Sequence, residues 1–131
     1  MAARSDRPSE RLLHTGSNGA GKLTYRTTQV ITGHGCFGEY LHRIGAETTA
    51  ACQMCGAEHD TAQHAVEECP SFSQQRRRLK DVIGPDITRS GIIRALMRGT
   101  KEEKAVKKFC EHIVTAKEVK QRRREMERRL R

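Results

Sequence analysis

"CQMCGAEHDTAQHAVEEC", residues 52–69, concentrates three of the five cysteines and two of the six histidines of a 131-residue chain. Its spacing, C-x2-C-x8-H-x4-C, makes Cys52, Cys55, His64 and Cys69 candidate ligands of one Zn2+. Two thiolates three positions apart, with Gly56 next, fit the tight turn that lets both sulfurs face one ion. The second pair reads as helical. Asp60 caps a short helix with Gln63 three positions on, His64 rides on that helix, and Cys69 ends it ahead of Pro70. Three sulfurs and one imidazole fill a tetrahedral shell, so the expected zinc is structural, since catalytic zinc keeps one position open. His59 is the alternative imidazole. Reduced core cysteines around a buried histidine are the alternative to any metal.

Composition agrees with a need for such a staple. The chain has no Trp, two Tyr and three Phe, and 35% of its residues are hydrophobic, which makes a thin core for a small domain. No segment approaches the roughly 20 apolar residues of a membrane span, and "MAARSDRPSE" at the start lacks an apolar secretory region. The expectation is a reducing location, nuclear or cytoplasmic, where clustered cysteines favour metal over disulfides. The formal charge of +9 points to an anionic partner, nucleic acid first and an acidic membrane surface or acidic protein second; RNA or DNA is the expected partner, with no membrane and no small-molecule substrate.

The charge lies outside the cysteine cluster. Residues 52–69 contain Glu58, Asp60, Glu67 and Glu68 but no Lys, Arg or aromatic residue, so this segment organises a surface more readily than it grips a strand. Residues 101–131 hold twelve Lys/Arg against six Asp/Glu. The runs Arg76, Arg77, Arg78 and Arg122, Arg123, Arg124, followed by Arg128 and Arg129, are the candidate nucleic-acid contacts, because phosphate contacts add through counterion release. The plainer reading of each run is a solvated helix face.

The chain breakers divide the rest. Residues 1–22, which carry Pro, Ser and a glycine cluster around Asn18, are expected to be disordered. Residues 23–32 suit a helix or a strand, with helix preferred, ending at Gly33. Phe37, Tyr40, Leu41 and Ile44 recur at helical spacing before Gly45. Phe72, Leu79, Val82 and Ile83 mark a helix ending before Gly84-Pro85, and Thr88 caps another with Ile92, Ile93, Leu96 and Met97 inward. "TKEE", residues 100–103, reads as a capping box opening a helix through Val106, Phe109, Cys110, Ile113 and Val114. Beyond about residue 117 its apolar face fades into charge. The fold class is thus mostly α: a small helical domain over 23–117 stapled by one Cys-Cys-His-Cys zinc site, with a long basic C-terminal helix whose tail is 118–131.

Three further patterns suggest chemistry and fail on inspection. "GSNGAGKLT", residues 16–24, nearly matches a phosphate-binding loop, but Leu23 stands where the magnesium-binding hydroxyl belongs and no apolar strand precedes it. Pro85-Asp86 with Glu102 and Lys104 spells a nuclease string, yet those acids read as helix-capping residues rather than groups converging from neighbouring strands. Cys36 beside His34 resembles a nucleophile and base without a third partner. No catalytic residue is expected.

In order along the chain, "LTYRTTQVITGHGCFGEYLHRIG" (23–45), "CQMCG" (52–56), "DTAQHAVEECP" (60–70) and "FCEHIVTAKE" (109–118) resemble the C-terminal region of non-LTR retrotransposon reverse transcriptases, especially the insect type that inserts into ribosomal DNA. The resemblance covers roughly residues 22–120. It implies that Cys52, Cys55, His64 and Cys69 form the motif that follows the polymerase domain in that family. It also implies a role in holding element RNA or target DNA during target-primed reverse transcription, with other parts of the reverse transcriptase as possible partners. A polymerase palm needs acids converging on two Mg2+ ions. This chain has only Asp6, Asp60, Asp81 and Asp86, no two adjacent, so it is expected not to polymerise by itself. The rival readings are a zinc-stabilised protein-interaction module that pairs helices, and a retrotransposon remnant without function.

Overall fold

The computed structural model describes residues 23–131; the disorder expected for residues 1–22, and most of the phosphate-loop look-alike, lie outside the described residues. The described chain forms five α-helices joined by short irregular segments, with no strand among the described residues: α1 Tyr25–Thr32, α2 Gly38–Arg43, α3 Ser73–Ile83, α4 Arg89–Arg98 and α5 Thr100–Arg129. Between α2 and α3 the chain makes the cysteine turn, a π-helical turn His64–Glu68 and a 3-10 turn Pro70–Phe72.

Each helix boundary has a local cause. Thr24 opens α1 by accepting the Thr27 N–H at 3.1 Å. Thr88 opens α4 by accepting the Gly91 N–H at 3.2 Å, as its sequence position predicts. The capping box expected at residues 100–103 does not form. Gly99, in extended backbone, takes the capping position, Thr100 is already helical, and no side chain caps α5. The acids there serve side-chain pairs instead, Glu102 with Arg98 at 3.8 Å and Glu103 with Lys107 at 2.7 Å.

The 30-residue α5 is the spine, and α1, α3 and α4 all pack against it. Its Val106, Phe109, Cys110, Ile113 and Val114 are buried, together with Val30 and Ile31 of α1, Leu79 and Ile83 of α3, and Ile92, Ile93 and Leu96 of α4. Two residues expected inside are outside. Ile44 is 56% exposed because α2 stops at Arg43 and leaves it at the cap, and Met97 is equally exposed at the corner where α4 turns into α5. The apolar seam of α5 thins after Val114 as expected, but the helix does not end there. It runs unbroken through residues 117 and 118 to Arg129.

Candidate metal centre

The cysteine turn is built from two backbone bonds: the Gly56 N–H donates to the Cys52 carbonyl and the Cys52 N–H to the Ala57 carbonyl, both at 2.8 Å. Gly56 sits at φ 86°, a left-handed conformation that a side chain would strain. Cys52 and Cys55 are thereby brought to one side.

The second half of the site departs from the expected helix. In an α-helix residues five apart face about 140° away from each other, so His64 and Cys69 would diverge. Here the Cys69 N–H donates to the His64 carbonyl at 2.7 Å, the wider π-helical register, and both side chains meet the cysteine turn. Thr61, not Asp60, supplies the local cap, its hydroxyl accepting the His64 N–H at 3.0 Å. The ligand atoms of Cys52, Cys55, His64 and Cys69 all lie within 4.8 Å of one another. Cys52 Sγ is 4.0 Å from Cys69 Sγ, and Cys55 Sγ is 3.3 Å from His64 Nε2. A tetrahedral shell with Zn–S near 2.3 Å has edges of roughly 3.8 Å, so the donor set and its spacing fit a metal of this kind. His59 is excluded from the group; it is exposed and pairs with Glu39 at 3.3 Å.

Electrostatics around the sulfurs are uneven. Burial pushes the Cys52 thiol up to about 11, against the pull of the Lys117 ammonium. The Ala57 N–H holds the exposed Cys55 below the ordinary thiol range. His64 Nδ1, the ring nitrogen turned away from Cys55, lies 3.6 Å from Glu68.

Two groups support the site in a way sequence reasoning missed: Asp60, expected there only as a helix cap, and Lys117. Asp60 accepts the Gly38 N–H at 2.8 Å and the Lys117 ammonium at 2.6 Å, and both Asp60 and Lys117 have side chains only 4% exposed. Lys117 also lies 3.8 Å from Cys52 Sγ, so α5 reaches the ligand cluster directly. A Cβ at residue 38 would come within 2.9 Å of the Ala50 and Ala51 carbonyls, which is why glycine lets α2 dock against this loop. The signal for Lys117 was present: it follows Phe109, Cys110, Ile113 and Val114 at helical spacing on the buried face.

Of the candidate nucleic-acid residues, Arg76 is corrected. It is 9% exposed, and its guanidinium donates to the carbonyls of Val66 at 2.6 Å, Ala65 at 3.1 Å and Cys69 at 2.7 Å. It closes the carbonyl end of the ligand-bearing turn, and its guanidinium is turned into the fold rather than toward solvent. Arg77 and Arg78 on α3, and Arg122, Arg123 and Arg129 on α5, are exposed. Arg124 and Arg128 converge on the buried Glu47, at 3.0 Å and 3.3 Å. Burial pushes the Glu47 carboxyl up, but hydrogen bonds and charge from the two arginines outweigh it and hold the group below the usual carboxylate range.

The other suggestive patterns resolve into structure. Cys36 is buried, which pushes its thiol up to about 12, and His34 turns instead to Tyr40 with ring centroids 4.6 Å apart. Asp86 accepts from the Thr88 N–H and hydroxyl and pairs with Arg94 at the start of α4. The Cys52, Cys55, His64 and Cys69 group is the one metal-capable cluster among the described residues.

Fold and site together define a small helical module organised around a Cys3His group with the geometry of a metal centre. Over part of its length the chain is similar to proteins of type-1 retrotransposable elements. It is 45% identical over 53 residues to "Retrovirus-related Pol polyprotein from type-1 retrotransposable element R1 4" of Nasonia vitripennis, a match covering 40% of this chain and 13% of that one. It is 40% identical over 47 residues to the R1 Pol polyprotein of Bradysia coprophila, covering 36% and 5% of the two chains. It is 32% identical over 69 residues to "Putative 115 kDa protein in type-1 retrotransposable element R1DM" of Drosophila melanogaster, covering 53% and 6%. These matches support a region of a non-LTR retrotransposon polyprotein, and they span only a small part of each relative. No family model matches the chain, and no solved structure matches it. Among the described residues no helix is long and apolar enough to cross a membrane.

Proposed function

We propose that the chain is the zinc-bound C-terminal module of a non-LTR retrotransposon reverse transcriptase, which holds RNA or DNA during target-primed reverse transcription and contributes no polymerase active site of its own. Zinc fits the donor set, since three thiolates and one imidazole within 4.8 Å select a soft, tetrahedral ion. A closed shell of four protein ligands gives the ion a structural role. When bound it supplies folding energy, because the ligands converge only in the folded chain.

The observation that carries the nucleic-acid reading is the exposed arginine set on a chain of net charge +9. Arg77, Arg78, Arg122, Arg123 and Arg129 carry charges open to solvent, whereas Arg76 is consumed by carbonyls and Arg124 and Arg128 are shared with Glu47. The test is affinity of the zinc-loaded protein for labelled RNA and duplex DNA between about 50 and 200 mM salt, where several phosphate contacts cost orders of magnitude. A steep loss with salt, flattened by Arg122→Glu with Arg123→Glu, supports the reading. Absence of binding at low salt refutes it.

A second reading has its own observation. Val119 and Met126 on α5, and Leu130 at its C-terminal cap, are exposed at spacings of seven and four, an apolar stripe of the kind that pairs helices. Sedimentation would then report a concentration-dependent dimer abolished by Met126→Glu.

A further inference from the structure

The "TGHGCFGEYL" segment, residues 32–41, contributes nothing to the ligand shell and no exposed arginine, yet it forms one wall of a cavity of about 650 Å³. The cavity lies between this segment, the end of α1, the start of α4 and the turn that carries His64. Its size falls within the range of small-ligand sites. Val30, Ile31, Val66 and Ile92 give it an apolar floor. At its mouth, Arg43 stands 5.4 Å from the centre of the Tyr40 ring, and Tyr40 lies against His34. His34 is exposed, so this short cation-and-ring stack ends in an open imidazole face.

The charge inside says what part of a ligand fits. Glu39 and Glu67 line the cavity together with Arg43 and Arg89, so its walls carry both signs of charge. Arg89, on the opposite wall, is anchored through its Nε to the Ile31 carbonyl at 2.8 Å. With carboxylates and guanidiniums on facing walls, the cleft is not built for an anion alone. An uncharged aromatic ring with amino groups on its edge suits it: the ring stacks and the carboxylates accept from the amino groups, as unpaired bases are read in single strands.

Resting on the nucleic-acid reading above, we propose that this cleft receives an unpaired base of a single-stranded nucleic acid, stacked on His34 and backed by Tyr40, while the exposed arginines hold the backbone outside. Duplex has no base to offer without unpairing, so the cleft confers a preference for single strands that the basic helices alone do not.

The test compares binding of a fluorescein-labelled single-stranded RNA 20-mer and the matching duplex to the zinc-loaded full chain, His34→Ala, and His34→Ala with Tyr40→Ala. Loss of a base-stacking face is expected to weaken single-strand binding about tenfold, leaving duplex binding and the salt dependence unchanged; Tyr40→Phe is expected to behave as the parent. His34 is exposed, so its variant serves even where the double variant fails to fold. A direct readout uses the Tyr25→Phe background, in which Tyr40 is the one remaining tyrosine and its fluorescence is expected to quench on adding the single strand. Parent and His34→Ala binding the single strand equally, with no quench, overturns the cleft while leaving the basic surface standing. A parent that binds neither probe overturns both.

Discussion

Replacing Lys117 by Met is expected to do more damage than any surface change of similar size. The substitution keeps the apolar stem and removes the ammonium, leaving the Asp60 carboxylate, 4% exposed, with only the Gly38 N–H to answer it. Breaking a buried pair in this way costs about 3–5 kcal/mol, against a total stability of roughly 5–15 kcal/mol for a domain. Removing both charges in Asp60→Asn with Lys117→Met is expected to recover most of the loss, because the Asn oxygen still accepts from Gly38 and no unpaired charge remains. The assay is urea unfolding of the zinc-loaded protein, read by circular dichroism, for the parent, both single variants and the double variant. Lys117 also stands 3.8 Å from Cys52 Sγ, so zinc affinity in a chelator competition is expected to fall about tenfold in the Lys117 variant. A loss below about 1 kcal/mol, or a double variant no more stable than the Lys117 single, would refute the reasoning.

Chelating the metal is expected to lower the helical signal, with Zn2+ restoring it; Ser at Cys52, Cys55 or Cys69 is expected to abolish that recovery, and Ser at Cys36 to leave it intact. Arg76→Ala is expected to cost about 2–4 kcal/mol through the three carbonyls it abandons and to leave the salt slope of RNA binding unchanged, whereas Arg77→Ala is expected to stay within about 0.5 kcal/mol in stability. The Glu47 carboxyl has a folded value below its unfolded one, so its contribution is present above the unfolded value, near 4.3, and is lost as pH falls through the folded value. Acid titration of stability in Glu47→Gln is expected to be flatter than in the parent over that window. Iodoacetamide at pH 8 is expected to spare Cys36 and Cys110 in the native protein, since burial pushes both thiols up to about 12, and to modify them once urea opens the core.

Much of this arrangement is written in local patterns. The three cysteine ligands follow from spacing and His64 from its place on the expected helical turn, with His59 left as the alternative, and α3, α4 and the buried half of α5 follow from apolar periodicity closed by Gly84, Gly99 and Thr88. What sequence reasoning missed is contact between distant segments. Asp60 looks like a helix cap because caps are local and common, but its carboxylate is claimed by Lys117, 57 positions away. Arg76 looks like the first of three basic residues, and only its place on the inward face of α3, with Leu79 and Ile83, separates it from Arg77 and Arg78. The π-helical turn was hidden for a different reason. No side chain demands it; the need to bring His64 and Cys69 to one point does.

Thirty residues in one uninterrupted helix make a rod about 45 Å long, fixed at two places, by Lys117 beside the ligand cluster and by Arg124 and Arg128 at Glu47. Such a rod works as a ruler. Arg122, Arg123 and Arg129 stand at set distances from the Cys3His group, and on the proposed nucleic-acid reading a strand held by them would have its position measured from that group rather than from a flexible arm.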